Sequence, residues 1–433
     1  MHQNRAMVIV GAGHVGGRAA QALRELGWTG PIVLIGAEPQ LPYERPPLSK
    51  GLLTGAQTPA SCALRPASAY DTEQISHVVG WVELIDTARR EVVLVEGRRI
   101  AYEALLLATG GHLRRLDVPG ADRCGLLGLR TLDDAAALVS RLQPGARVLI
   151  VGGGFIGLEV AASARQRGCA VTLLEGAPRL LGRAVPAAIG ERVAELHRSH
   201  GVDLRLGVMP VEFRRAADTG SAEISTATGT TNATVTEVRL SDGSTLSADV
   251  VVVGIGIAPA TELAERAGLV VGRGTGRGIT VNAELATSAP GVFAAGDVAE
   301  FPSALSGALT RQETWFNAET QARIAAANML GGHETYAQTP WFWSDQYDHQ
   351  LQVAGEPALG VTSVSRLLGS EPGQGAQIDF HLDAAGWLVG ASGYGPTSAL
   401  AKEFRLARLL VERRRQPAPE ALADLSVRLK SLA

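Results

Sequence analysis

The chain has 433 residues, a formal net charge of −3 and three cysteines, a length that suits two or three domains. The near-neutral charge argues against a nucleic-acid binder, the distant Cys62, Cys124 and Cys169 argue against a disulfide framework or a cysteine-ligated metal, and the scattered histidines have no metal-ligand spacing. No stretch reaches the roughly 18 apolar residues of a membrane span, and the N-terminus lacks a signal-peptide layout, so the sequence predicts a cytoplasmic protein.

The first element is a short apolar strand that leads into a glycine-rich loop and a helix. The loop has the pattern G-x-G-x-x-G at Gly11, Gly13 and Gly16, and Glu38 follows the next apolar run. The first glycine makes a tight turn, the second lets the backbone approach a pyrophosphate, and the third lets the helix pack on the strand. The helix N-terminus offers free N–H groups to phosphates, and the acid suits ribose hydroxyls. This unit predicts a dinucleotide site.

The same order of elements returns 141 residues further along the chain. Gly152, Gly154 and Gly157 form the second loop, and Glu175 follows the next apolar strand. Two copies predict two dinucleotide sites in two separate domains.

The acid of the second copy bears on which nicotinamide cofactor binds. A carboxylate at Glu175 accepts a free 2′-hydroxyl and repels a 2′-phosphate, which favours NADH over NADPH. Arg179 and Arg183 lie just beyond it, and a nearby arginine could soften that preference.

Three further segments carry a family resemblance: "ALLLATGG" (104–111), "ADVVVVGIGIAPAT" (248–261) and "GVFAAGDVAEF" (291–301). Together with both loops, in this order, they resemble the pyridine nucleotide–disulfide oxidoreductase superfamily over nearly the whole chain. The resemblance implies an α/β fold with two Rossmann-like dinucleotide-binding domains and a C-terminal α+β domain. FAD would bind the first loop, with Asp297 at its ribityl and pyrophosphate region, and NAD(P)H would bind the second.

The implied division of the chain has three parts. The FAD-binding domain is discontinuous and comprises residues 1–115 and 246–322. The NAD-binding domain lies between them at 116–245, and the C-terminal domain spans 323–433.

The stretch "PYERPPLSKGLL" distinguishes branches of this superfamily. The disulfide reductases carry a C-x-x-x-x-C pair followed by a lysine, whereas here Pro42 and Pro47 stand at the cysteine positions and Lys50 at the lysine. The stretch resembles the ferredoxin and rubredoxin reductase branch, which implies that Lys50 lies by the flavin and Arg45 near the FAD phosphates. The prolines lower the entropy lost when the loop orders against the cofactor.

Other site residues are implied by the same resemblance. Val15 belongs to the first loop, Val82 would meet the adenine through its backbone, and Arg130 would lie near the FAD. Three residues would lie beside the flavin ring system, namely Glu313, Trp315 and Trp343. Glu159, just after the second loop, would face the nicotinamide pocket and, with Lys50, take part in catalysis. No metal site is expected.

The function implied is that of an FAD-containing, NADH-dependent ferredoxin reductase that serves a dioxygenase or a P450. Its transient partner would be a [2Fe-2S] ferredoxin, with no nucleic-acid or membrane partner and an undetermined oligomeric state. Two alternatives share the fold: an NADH oxidase or quinone-type reductase, and an NADH-sensing flavoprotein. Candidate basic residues for docking an acidic ferredoxin are Arg65, Arg114 and Arg115, or the helical face with Lys402, Arg405 and Arg408. The Ser/Thr/Ala-rich segment 214–236 predicts a variable hairpin.

Overall fold

The computed structural model describes residues 5–182, 184–215, 235–273, 277–369 and 375–433. Within them the strands are β1 (Ala6–Val10), β2 (Ile32–Gly36), β3 (Ile75–Val79), β4 (Val82–Asp86), β5 (Glu91–Leu94), β6 (Arg99–Leu107), β7 (Gly111–Leu113), β8 (Arg147–Val151), β9 (Ala170–Glu175), β10 (Asp203–Leu206), β11 (Pro210–Arg215), β12 (Val235–Leu240), β13 (Thr245–Leu246), β14 (Val250–Val253), β15 (Ile257–Pro259), β16 (Ile279–Thr280), β17 (Val292–Ala294), β18 (Ala299–Pro302), β19 (Leu309–Thr310), β20 (Trp341–Gln346), β21 (His349–Gly355), β22 (Thr362–Leu368), β23 (Ala376–Leu382) and β24 (Leu388–Pro396). The α-helices are α1 (His14–Glu25), α2 (Gly51–Thr54), α3 (Ala67–Thr72), α4 (Leu132–Arg141), α5 (Phe155–Gln166), α6 (Ala187–Ser199), α7 (Glu262–Arg266), α8 (Trp315–Met329), α9 (Thr397–Glu412) and α10 (Pro419–Ala423). Of these described helices, none is both long and apolar enough to span a bilayer.

The first sheet has the strand order β3-β2-β1-β6-β5-β4, and β17 also pairs with β6. β1, β2, β3, β6 and β17 run parallel, while β4 and β5 are antiparallel additions next to β6. All five residues of β1 are buried, as expected for a parallel strand covered on both faces. Because parallel strands end at the same edge, the loops after β1, β2, β6 and β17 meet there.

The second sheet is a smaller parallel sheet with the order β10-β9-β8-β14. β8 ends at Val151 and α5 begins at Phe155, so the second glycine loop occupies the same place as the first. β11 and β12 pair antiparallel beside this sheet. They include the first and last residues of the segment 214–236, for which the sequence predicts a hairpin. Residues 216–234 of that segment lie outside the described residues.

The third sheet is antiparallel, with the order β20-β21-β24-β23-β22. One face packs against α9, and its core is formed by Ile378, Phe380, Ala391, Leu400 and Phe404. Side chains of β21 and β24 join the core of the second unit instead, namely Leu351, Val353 and Tyr394. These units confirm the predicted α/β fold with a C-terminal α+β part.

Two of the predicted domain limits differ from the strand pairing and packing. The predicted return to the first domain at 246 includes β14, which pairs with β8 in the second sheet. The predicted limit at 322/323 falls inside α8, whose buried face continues in the first core to Met329, followed by Tyr336. A helix with one continuous buried face belongs to one core. We therefore propose that the first unit resumes after β14 and includes α8, and that the third begins at β20.

Candidate functional site

The first glycine loop leaves β1 through two glycines that no larger residue can replace without movement. Gly11 has φ +114°, and a Cβ there would lie 2.1 Å from the carbonyl oxygen of Ala108. A Cβ on Gly16 would lie 2.0 Å from the carbonyl oxygen of Gly11. At Gly13, the N-cap of α1, the nearest atom would be an Arg45 nitrogen at 3.8 Å. The predicted division of roles among the three glycines fits this geometry: close backbone contact at the first and third, open space at the second.

The second loop repeats this arrangement. Gly152 has φ +111°, and a Cβ on it would approach the carbonyl oxygen of Gly254 to 2.6 Å. A Cβ on Gly157 would lie 2.0 Å from the carbonyl oxygen of Gly152, whereas at Gly154 no described atom lies within 4 Å. Gly154 is the N-cap of α5 and makes no side-chain cap. A ligand phosphate can therefore approach the backbone at Gly154 closely, as a dinucleotide loop requires.

The acids that follow the two loops have different partners. Glu38 forms an ion pair with Arg45 at 3.0 Å and accepts a hydrogen bond from the hydroxyl of Tyr43. Glu175 instead accepts hydrogen bonds from two backbone N–H groups, those of Gly153 and Ala177, each at 2.7 Å. The first acid is thus held by side chains and the second by the backbone of its own loop.

Arg179, one of the two arginines predicted to soften the preference for NADH, bonds to backbone carbonyl oxygens rather than to Glu175. Arg179 donates to the carbonyl oxygens of Val185 and Gly182, at 2.9 and 2.5 Å. Arg183 lies outside the described residues. The guanidinium of Arg179 therefore bonds to the backbone of the turn that precedes α6.

A second acidic position lies at the carboxyl edge of the first sheet, after β17. Asp297 pairs with Arg130 at 2.9 Å, and its carbonyl oxygen accepts from Arg311 at 3.1 Å. The N–H of Gly296 donates to the fully buried amide oxygen of Gln321 in α8, at 2.7 Å. Val15 packs below this turn, because a Cβ on Gly296 would lie 2.6 Å from its side chain. Sequence reasoning missed Arg311 and Gln321.

Lys50 and Glu159 are brought together from distant parts of the chain. Lys50 follows a short 3-10 turn (Pro46–Ser49), and Glu159 lies one turn into α5. The lysine Nζ is 2.9 Å from Glu159 Oε2, which also accepts from the hydroxyl of Ser49 at 2.5 Å. Ser344 donates to Oε1 at 2.6 Å. Glu159 is only 4% exposed, so its carboxylate depends on these three donors.

Three tryptophans form a contiguous group next to this pair. Trp315 and Trp343 meet edge to face with their ring centroids 5.9 Å apart, and Trp341 stacks on Trp343 at 5.0 Å. His14 of the first loop contacts the edge of Trp315 at 5.4 Å and lies 2.7 Å from Glu319. The hydrogen bond from His14 holds the pKa of the Glu319 carboxyl below its ordinary value.

One cavity of about 1720 Å³ connects most of the predicted site residues. It exceeds the volume usual for a single small ligand, so it has room for a dinucleotide and part of a second one. Its walls include the predicted residues Gly11, Gly13, Val15, Glu38, Arg45, Lys50, Val82, Arg130, Glu159, Asp297, Glu313, Trp315 and Trp343. Five predicted residues lie outside these walls, namely Gly16, Gly152, Gly154, Gly157 and Glu175.

The residues present at the first loop fit FAD. The tight glycine turn, the uncapped N-terminus of α1 and the cavity between them form a cradle for a pyrophosphate. At the second loop, the cavity reaches the beginning of α5 at Phe155 and Ile156. Glu159 lies one turn further along α5 and lines the same cavity.

Of the basic residues considered for docking, three make other contacts. Arg114 donates to the carbonyl oxygen of Ile257 at 3.0 Å. Arg65 pairs with Glu73 through both nitrogens of its guanidinium, one at 2.6 Å. Arg408 lies over the ring of Trp341, 4.5 Å from its centroid, and bonds Glu412 at 2.6 Å. Arg115, Lys402 and Arg405 are exposed.

Comparison with known protein families gives two matches along the chain. Residues 5–322 match the family described as pyridine nucleotide-disulphide oxidoreductase, and residues 341–433 match the reductase C-terminal domain.

Several characterised proteins are similar over nearly their whole length. The ferredoxin–NAD(+) reductase component of the anthranilate 1,2-dioxygenase system of Burkholderia cepacia is 40% identical, with 98% of each chain covered. The corresponding component of the p-cumate 2,3-dioxygenase system of Pseudomonas putida is 38% identical, over 99% of this chain and 98% of that one.

Among solved structures, two similar ones span both chains. The ferredoxin reductase for the CYP199A2 system of Rhodopseudomonas palustris has a TM-score of 0.88 at 38% identity, covering 99% of this chain and 100% of that one. The covalent putidaredoxin reductase–putidaredoxin complex gives a TM-score of 0.89 at 35% identity, covering 100% and 98%.

Proposed function

This chain belongs to the pyridine nucleotide-disulphide oxidoreductase family, and from that premise we propose that it is an NADH-dependent ferredoxin reductase. It takes electrons from NADH, passes them through FAD and delivers them to a [2Fe-2S] ferredoxin. The relatives named as reductase components of dioxygenase systems and the similar reductase of a P450 system support an oxygenase at the end of this chain of transfer.

The observation that carries the proposal is a cavity that contains a lysine–glutamate pair and lacks a redox-active cysteine pair. Pro42 and Pro47 stand where the disulfide reductases carry those cysteines. The three cysteines of the chain are buried, and none is among the described residues that line the cavity. Electrons that reach the cavity therefore leave without a dithiol, as transfer to a separate iron–sulfur protein requires.

FAD, when bound, supplies the redox chemistry, because a flavin accepts two electrons together and releases them one at a time. The chain's part is to bind and orient it. The first loop and the N-terminus of α1 would hold the pyrophosphate, with Arg45 near the phosphates, Arg130 near the FAD and the Val82 backbone at the adenine. Asp297 receives the ribityl part, while Trp315 and Trp343 exclude water from the ring system.

NADH binds at the second loop, with Glu175 at the ribose of its adenosine half. The two backbone N–H groups on Glu175 fix the carboxylate in place, where it accepts a 2′-hydroxyl and repels a 2′-phosphate. Phe155, Glu159 and Lys50 line the cavity and would face the nicotinamide end. There the Lys50 ammonium, held by Glu159 at 2.9 Å, provides positive charge beside the flavin.

The ferredoxin docks on exposed basic residues, for which Arg115, Lys402 and Arg405 remain candidates. An acidic partner gains association rate from such a surface. We place the protein in the cytoplasm, where NADH is supplied and where the three buried cysteines stay reduced.

The test is an anaerobic titration of the purified protein with NADH, followed by rapid mixing with an oxidised [2Fe-2S] ferredoxin. We expect NADH to bleach a flavin absorbance band and the ferredoxin to restore it within milliseconds to seconds. Restoration by oxygen or a quinone alone would favour an oxidase or quinone reductase, and a persistent reduced complex would favour an NADH sensor. A protein that binds no FAD would refute the proposal.

A further inference from the structure

A chain of buried hydrogen bonds extends from Glu159 away from the cavity. Ser344 Oγ donates to Glu159 Oε1 at 2.6 Å, and Gln346 Nε2 donates to Ser344 Oγ at 3.2 Å. Gln346 Oε1 lies 2.9 Å from His197 Nε2. Ser344 and Gln346 are alternate residues of β20 and so lie on one face of that strand. His197 lies on α6, so the chain joins the second and third units to the Lys50–Glu159 pair.

These three residues are fully enclosed. Ser344 and His197 have no exposed surface, and Gln346 is 2% exposed. A buried polar side chain costs free energy unless its hydrogen bonds are made. Apolar side chains would fill this space at lower cost, so the polar groups point to a role that apolar groups could not perform.

The direction of the hydrogen bonds follows from the chemistry of the groups. An amide oxygen only accepts, so His197 must carry its proton on Nε2 to bond Gln346 Oε1. The amide nitrogen then donates to Ser344, which leaves the serine proton free for the Glu159 carboxylate. With the histidine proton on Nδ1, the amide would turn over and the serine would donate to it, leaving two oxygens facing each other at Glu159. His197 Nδ1 is buried without a hydrogen-bond partner among the described residues, as expected for a nitrogen without a proton.

We propose that Ser344, Gln346 and His197 are positioning residues. Their hydrogen bonds run in one direction, from His197 through Gln346 and Ser344 to Glu159, and so fix the Lys50 ammonium beside the flavin. We name these three residues the Glu159 support chain. The inference rests on the proposed function, because it assigns the flavin as the group that Lys50 serves. None of the three residues touches the reacting atoms; each acts through Glu159.

Removal of the Ser344 hydroxyl has two expected consequences. Glu159 Oε1 loses its donor, and the carboxylate becomes free to rotate away from Lys50 or to draw the ammonium out of the cavity. A less well-placed positive charge stabilises the reduced flavin less, so both the rate of its reduction and its midpoint potential fall.

The experiment compares FAD-loaded variants by anaerobic stopped flow with NADH and by redox titration. In Ser344→Ala we expect the limiting rate of flavin reduction to fall about ten-fold with the NADH dissociation constant unchanged, and the midpoint potential to decrease. Gln346→Leu should reduce the rate about three-fold, because the serine donor remains but is less well oriented. Ser344→Thr keeps the hydroxyl and should restore at least half of the wild-type rate.

A matched control is Ser392→Ala, another serine without exposed surface in the same five-stranded sheet. Its hydroxyl contacts His381 rather than Glu159. Equal losses of rate and potential in Ser344→Ala and Ser392→Ala would show a general packing effect and overturn the inference. Wild-type rate and potential in Ser344→Ala would also overturn it.

A second readout needs neither cofactor nor turnover. In protein labelled with ¹⁵N-histidine, the His197 ring should give the pattern of the neutral Nε2–H form, assigned by its loss in His197→Phe. The Nδ1–H form would contradict the stated direction of the chain. If wild-type protein binds FAD but NADH does not reduce it, the proposed function fails, while the potential of Ser344→Ala and the histidine spectrum still decide whether the support chain exists.

Discussion

The two glycine loops are nearly identical in local geometry and differ in what surrounds them. In both, the first glycine has φ near +110° and the third lies against the carbonyl oxygen of the first. The first loop, however, opens into the large cavity, and its acid is paired with Arg45. The second loop lies outside the cavity walls, and its acid is bonded to backbone N–H groups.

This contrast matches two kinds of ligand binding. A resident cofactor is enclosed by side chains from several elements, whereas a substrate that must enter and leave needs an open site whose groups are already in place. Preorganisation by backbone bonds lowers the ordering cost that each new molecule would otherwise incur. The second unit is fastened elsewhere, through His197 and Gln346, to the C-terminal sheet.

The largest effects should come from the first glycine of each loop. Gly11→Ala places a Cβ 2.1 Å from a carbonyl oxygen at φ +114°, and we expect a loss of more than about 4 kcal/mol in the free energy of unfolding. FAD should be absent from the purified variant. Gly152→Ala, where the same approach is 2.6 Å, should keep FAD and weaken NADH binding. Absorbance spectra, thermal unfolding and NADH titration measure these outcomes.

The exposed Gly27 provides the control for backbone strain alone. It has φ +94°, and a Cβ at this position would have no described atom within 4 Å. Gly27→Ala should therefore cost only about 1–2 kcal/mol and leave both cofactors bound. Equal losses at Gly11 and Gly27 would mean that conformation, rather than close contact with Ala108, sets the requirement for glycine.

What the sequence revealed of the site depends on how local each feature is. The glycine turns are set by backbone geometry within a few residues, and each predicted loop forms such a turn in one of the two Rossmann-like units that were predicted. Lys50 was predicted from a short motif, but its hydroxyl neighbours were not. Ser344 and Gln346 lie within the "WFWSDQ" segment, beside Trp343, and their role depends on contacts with α5 and α6, 185 and 149 residues earlier in the chain.

The difference between the predicted domain limits and the strand pairing has a similar cause. A run of valines such as Val250–Val253 indicates a buried parallel strand but not which of two sheets it joins. That choice is made by pairing with β8, 102 residues away at Arg147 and Asp249. No hydrophobic periodicity within the strand indicates which of the two sheets it joins.

Acid pH should weaken the contact between the second unit and the C-terminal sheet, because that contact includes His197. Burial lowers the pKa of His197 to about 4, and the groups facing it are Gln346 and the ring of Tyr347, on which His200 stacks. Because the folded-state pKa lies below the unfolded value near 6.5, its contribution is complete above pH 6.5. It is lost as the pH falls towards 4. We expect a decrease of about 3 kcal/mol in the free energy of unfolding over that range.

Chemical denaturation at several pH values measures this dependence. His197→Phe should flatten the curve between pH 6.5 and 4, because no proton can be taken up at that position. The Glu319 pair of the first unit acts in the same direction, because the bond from His14 also lowers the pKa of that carboxyl, but its contribution is lost at lower pH, as the pH falls below the ordinary carboxyl value. An unchanged slope in His197→Phe would assign the acid sensitivity to other groups.

The smallest expected effects distinguish the two acids. Glu175→Gln replaces one acceptor oxygen by an amide nitrogen, so one of the two backbone N–H groups loses its partner, at a cost of about 1–2 kcal/mol. It also removes the charge that repels a 2′-phosphate, and we expect the preference for NADH over NADPH to fall about ten-fold.

Glu38→Gln breaks an ion pair whose side chains are 27% and 28% exposed, so stability should change by less than about 1 kcal/mol. The matched pair tests whether backbone bonding makes the second acid a determinant of nicotinamide choice while the first serves retention of FAD. Steady-state kinetics with both nicotinamides and the rate of FAD release measure the two quantities, and an altered nicotinamide preference in Glu38→Gln would mean that the two loops do not act on separate ligands.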